Sequence, residues 1–219
     1  MEAERFLKNW HYEKRTYIRM KNNNSNKIHN LTLASMFLAL AFILPFLTGQ
    51  IQQIGSMLCP MHIPVILCGF FCGGYWGLGV GFIAPLLRSI TLGMPPLFPV
   101  AICMAFELAT YGFVAGFLHK RSTKNIVSHD QIDVVSQKQA SRQLSDYKRN
   151  VYITLIVAMV LGRIVWGLAM FACLGFEPSK FGLSAFITGA ITTAVPGIVL
   201  QLILIPVIVI SLRKYANPN

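Results

Sequence analysis

Three strongly charged side chains, Arg88, Glu107 and Arg163, stand well inside otherwise apolar runs. A charge at such a position costs roughly 3 kcal/mol or more unless a partner or ligand meets it. Glu107 can neutralise one arginine, which leaves the other guanidinium without a carboxylate from the chain. A guanidinium is a planar fork of N–H donors that grips a carboxylate through two bonds, so the unmatched arginine points to an anionic ligand. Trp166 follows Arg163 by three residues and shares its helical face, where its ring could stack on a flat or apolar part of that ligand. The uncharged polar stretch Gln50 to Pro60 contains Gln52 and Gln53, whose amides could hydrogen-bond a polar molecule beneath a lid; an ordinary solvated loop would have the same composition. His62, just beyond it, completes the candidate binding set.

Other chemistries fail on context. Cys59 and His62 are three apart, yet a metal site needs further ligands, and no metal or cofactor is expected. Gly77, Gly79 and Gly81 lie inside an apolar run with no preceding strand, unlike a dinucleotide-binding turn. The chain has no Walker motif, nucleophilic triad or paired-carboxylate site, so it is not expected to be an enzyme or to hydrolyse ATP.

The elements that must position these residues are helices in a bilayer. Hydrophobic residues make up 54% of the 219 and charged residues only 12%, a balance foreign to a soluble domain. No Asp, Glu, Lys or Arg occurs between Lys27 and Arg88, nor from Gly182 to Leu212. Such runs exceed the ~20 residues of one crossing and must be divided or tilted. The expected fold is an all-α integral membrane protein with six spans, at about 29–49, 59–74, 76–93, 98–118, 150–174 and 183–211. Turns are expected at Gly73-Gly74-Tyr75-Trp76-Gly77 and Met94-Pro95-Pro96. Around this membrane domain, 28–212, lie a basic tail, 1–27, a polar loop, 119–149, expected as a mobile connection, and a short tail, 213–219.

The net charge of +11 is gathered in those tails and the loop, flanking the apolar runs, which reads as topology and not nucleic-acid binding. Lys and Arg mark the cytoplasmic side of a membrane protein. Six spans put all three basic regions on that side, with both termini cytoplasmic and only Lys180 opposite. The first 27 residues lack the apolar centre of a cleavable signal.

Small residues four apart, such as Gly69 and Gly73 or Gly112 and Gly116, allow close helix contact. Pro85 and Pro196 should kink their spans. Cys68, Cys72, Cys103 and Cys173 lie in apolar runs and read as packing residues, with no disulfide framework.

The stretches Pro60-Met61-His62-Ile63-Pro64-Val65, Pro85-Leu86-Leu87-Arg88 to Met94-Pro95-Pro96-Leu97-Phe98-Pro99, and Phe106-Glu107-Leu108-Ala109-Thr110-Tyr111-Gly112 resemble those of the substrate-specific components of energy-coupling factor transporters, over about residues 28 to 212. The resemblance implies a six-helix subunit of the cell membrane that binds a vitamin or related micronutrient in an outward-facing pocket. It also implies two kinds of partner, a transmembrane coupling subunit and two cytoplasmic ATPases. Members commonly carry Ala-x-x-x-Ala in the first helix, where it contacts the coupling subunit; the matching place here reads Ser35 to Ala39, with Ala34 beside it. Two arginines and one glutamate leave a local charge of +1, which suits a monocarboxylate such as pantothenate, while folate, riboflavin and cobalamin stay open. The competing reading is a self-sufficient channel or proton-coupled carrier built on Glu107 and the kinked spans.

Overall fold

The computed structural model describes residues 27–48, 60–127, 137–174 and 195–216. Six helices account for nearly all of them. Helix α1 covers 27–43 and continues as a tighter 3₁₀ turn, Leu44–Thr48. It is followed by α2 (His62–Cys72), α3 (Gly74–Leu92), α4 (Ile102–Val127, entered through Leu97–Ala101), α5 (Gln137–Cys173) and α6 (Val195–Ala216).

Five of these helices are long and apolar enough to cross a bilayer, and α2, with 11 residues, is not. At 1.5 Å per residue α2 rises only ~16 Å, about half of a hydrocarbon core. The expected span 59–74 is therefore shorter as a helix than the sequence implied. Each long helix also exposes large apolar side chains, among them Met36, Ile83, Phe106, Leu168 and Ile203. In water that surface would be untenable; in lipid it is the ordinary exterior of a spanning helix. The chain is a multi-pass membrane protein.

Two boundaries differ from the sequence reading. Helix α4 continues to Val127 and α5 begins at Gln137, so much of 119–149 prolongs helices where a mobile connection was expected. The hydropathy signal stops at the membrane surface, but the backbone hydrogen-bond ladder need not. Pro196 sits in the first turn of α6, where a missing N–H costs nothing, and the interior proline of that helix is Pro206. Pro85 does lie inside α3.

Glycine sets the close packing of α2, α3 and α4. A Cβ placed on Gly77 would lie 2.6 Å from the Gly112 carbonyl oxygen and 2.8 Å from the Gly69 Cα, so three helix backbones converge at one point. Gly81 likewise abuts Leu108, and Gly116 abuts Gly69, Gly73 and Gly74. The chain reverses from α2 into α3 at the single residue Gly73, whose φ of 96° is open to glycine and strained for other residues. Gly73 thus serves the turn as well as the contact with Gly116, while Gly69 is the member of the pair that meets Gly77 and Gly112. On the other side of α2, Phe37 of α1 stacks on Phe71, and α6 packs against α2 and α5.

Candidate functional site

The register of these contacts brings the charged residues toward one end of the bundle. Gly77 faces Gly112 and Gly81 faces Leu108, so α3 and α4 run antiparallel. The end at which α1, α3 and α5 finish and α2, α4 and α6 begin is here called the distal end. Glu107 is ten residues from Leu97, and Arg163 ten from Cys173, roughly 15 Å of helical rise in each case.

Glu107 is the centre of a buried cluster. It is 2% exposed, and its Oε1 lies 3.1 Å from a terminal guanidinium nitrogen of Arg163, which is itself 17% exposed. The Tyr111 hydroxyl, one helical turn along the same face, donates to the same oxygen at 2.8 Å. His62, at the first position of α2, brings Nε2 to 3.7 Å from it and sets its ring 5.3 Å from that of Tyr111. Charge on Glu107 is thus met by a cation and a hydroxyl at a buried position, where an unsatisfied carboxylate would be expensive. Neither ring nitrogen of His62 has a hydrogen-bond partner among the described residues, although His62 is only 2% exposed.

The short α2 explains how His62 gets there. Its other end is pinned at Gly73 by the turn into α3, so an 11-residue helix starts at the depth of Glu107 instead of at the membrane face. Gly162 of α5 makes room for the Tyr111 ring, because a Cβ at that position would overlap it.

Arg88 stands apart from this cluster. It is 8% exposed, donates to the Phe42 carbonyl at 3.3 Å and places its guanidinium 5.4 Å from the centre of the Phe46 ring. Its recorded partners are therefore a carbonyl and a ring face at the end of α1, and no carboxylate pairs with it among the described residues. The register of α3 on α4 sets Arg88 about 9 Å nearer the distal end than Glu107. The sequence expectation that Glu107 would take one arginine is met by Arg163; the three charges do not form a single contact group.

The other candidates divide. Trp166 is half-buried on α5, one turn from Arg163. Gln52 and Gln53 lie outside the described residues, as does Cys59. Ser35 and Ala39 are exposed on α1 and line an apolar groove of about 320 Å³ with Leu38, Phe42, Leu87 and Thr91, whereas Ala34 is buried in the core beside Phe37 and Ala41. Two residues were missed by sequence reasoning. Tyr111 had a usable signal, since it lies four positions from Glu107 on one helical face. Gln201, 2% exposed with an Oε1 that lacks a hydrogen-bond partner among the described residues, is the one amide in the apolar run 182–212.

Tyr111→Phe keeps the ring and removes the hydroxyl. Loss of one hydrogen bond to a buried carboxylate should cost about 1.5–3 kcal/mol, read as a lower melting temperature in detergent. An unchanged melting temperature would mean that the hydroxyl does not support Glu107.

No curated protein and no solved structure matches the chain. The profile of one protein family, described as the substrate-specific component of ECF transporters, matches residues 29–209, which takes in every described helix from α1 to most of α6 and all the charged residues above. With an all-helical membrane fold and a match over most of its length, the chain belongs to the family of substrate-specific components of energy-coupling factor transporters.

Proposed function

We propose that this chain captures a water-soluble vitamin outside the cell and delivers it inward, in company with a transmembrane coupling subunit and two cytoplasmic ATPases. In this reading the chain crosses the membrane six times, both termini are cytoplasmic and the distal end faces outward. A substrate-specific component is a transporter's binding subunit and not an enzyme. The observation that carries the substrate class is the disparity between the two arginines. Glu107 and Arg163 neutralise each other, while Arg88, almost wholly buried, has no carboxylate among the described residues. One uncompensated positive charge near an outward opening favours a monocarboxylate, and among the vitamins pantothenate fits best. Its carboxylate would be held by Arg88, and its polar remainder would reach inward to His62 and Gln201, which hold unsatisfied polar atoms. Trp166 would pack on its apolar part, and Gln52 and Gln53 would close over it. The exposed Ser35 and Ala39 face of α1 is proposed as the contact with the coupling subunit.

Purified protein, without ATP or partners, should show a rise in melting temperature with pantothenate in a thermal-shift panel of B vitamins, because a ligand of the native state stabilises it by mass action. Arg88→Ala should weaken that binding tenfold or more, and Arg163→Ala should do the same by freeing Glu107. Failure of every vitamin in the panel, in a monodisperse preparation, would sink the binding-subunit reading for this class of ligand. Transport into liposomes by this chain alone would instead favour the self-sufficient carrier.

A further inference from the structure

Cys103 and Cys173 are 70 residues apart in sequence, yet their sulfurs lie 3.7 Å apart, the Cys103 thiol directed at Cys173 Sγ. Both thiols are free, Cys103 fully buried and Cys173 partly accessible. Cys103 is one turn from Glu107 on the same face of α4, since residues four apart share a face. On α5, Arg163, Trp166, Met170 and Cys173 follow a three-four-three spacing, which forms a single stripe directed at α4. Among the contacts between these helices are the Glu107–Arg163 ion pair and, nearer the distal end, the thiol pair.

We infer that Cys103 and Cys173 are an oxidation site, closing to an intramolecular disulfide that clamps α4 to α5 beside the Glu107–Arg163 pair. Two sulfurs already in contact need only side-chain rotation and a small shift to meet disulfide geometry. The more accessible Cys173 reacts first. Its thiolate, having given its proton to water, attacks one sulfur of an external disulfide and releases the other as a thiolate. The Cys103 thiol then loses its proton and attacks Cys173 Sγ in that mixed disulfide, expelling the second external thiolate. Two protein thiols are oxidised and one external disulfide is reduced to two thiols. The chemistry does not depend on which vitamin is bound or on whether one is. If the distal end faces outside, as proposed above, it lies where disulfides persist.

The test counts thiols. Full-length protein in detergent is treated with oxidised glutathione, denatured, and tagged at remaining thiols with a maleimide polymer that shifts its gel mobility. Of the five cysteines in the sequence, two should escape tagging after oxidation and regain it after reduction. In Cys103→Ala no more than one tag should be lost, to a mixed disulfide of Cys173 with glutathione that Cys103 is no longer there to resolve, and in Cys173→Ala no two tags should be lost together. The oxidised wild type should also melt roughly 5 °C higher than the reduced protein, a rise absent from both variants. Full tagging of the oxidised wild type would overturn the assignment, as would loss of two tags that persists in either variant. Loss of two tags with no rise in melting temperature would overturn the clamp.

Discussion

Glu107→Gln should yield a protein that melts roughly 10 °C below the wild type, or that fails to remain monodisperse in detergent, even though the substitution changes almost no volume. The amide retains an oxygen that can accept from the Tyr111 hydroxyl, so what is removed is the negative charge facing Arg163 at 3.1 Å. Breaking a buried ion pair from one side leaves the other ion uncompensated, at a cost of about 3–5 kcal/mol, and 1 kcal/mol moves the melting temperature of a chain this size by about 2–4 °C. Arg163→Met alone should be damaging for the same reason, now with the carboxylate stranded. The double variant, Glu107→Gln with Arg163→Met, should recover much of the loss, because neither member of the pair is left charged and alone. Recovery in the double variant is the signature of the pair. If Glu107→Gln melts with the wild type, the carboxylate is not holding Arg163 as described.

A second large effect is expected from the smallest possible enlargement of the helix seam. Gly112→Ala adds one methyl group, which would fall against the carbonyl and Cα of Gly77. No side chain stands between the two backbones to rotate away, so the helices themselves must part. Overpacking of this kind costs about 1–3 kcal/mol where side chains can adjust, and the upper end of that range is expected here. Gly77→Ala should behave alike, and the two substitutions together should cost less than their sum because they break one contact. Gly79 supplies the control. It is in the same helix with nothing within 4 Å of its Cβ position, and Gly79→Ala should be neutral or slightly stabilising through helix propensity. Equal melting temperatures for Gly112→Ala and Gly79→Ala would remove the seam from the account.

What could be read from residues alone was whatever depends on position along one helix. The apolar runs located the helices, and the isolated charges announced themselves through their cost. The spacing of Gly112 and Gly116 signalled a close approach that the structure contains. What could not be read was the rotational phase of one helix against another. Arg88 and Arg163 were equally good partners for Glu107 until the contact of Gly81 with Leu108 fixed the register. Gly77 and Gly81 looked like a failed phosphate loop because their purpose lies on α4, against Gly112 and Leu108. Cys103 and Cys173 read separately as packing residues for the same reason. The length of α2 escaped because Pro60 to Pro64 is apolar enough to continue a span, while the helix itself starts only at His62.

The bare contact among Gly69, Gly77 and Gly112 has a mechanical consequence. Side chains between helices act as bearings, since they can change rotamer and let one cylinder slide past its neighbour. Backbones that touch directly have no such play. Helices α2, α3 and α4 would therefore tilt in the bilayer as one stiff slab, carrying His62, Arg88, Glu107 and Tyr111 with fixed mutual spacing. Relative movement among the six helices would then fall to α1, α5 and α6 at its edges.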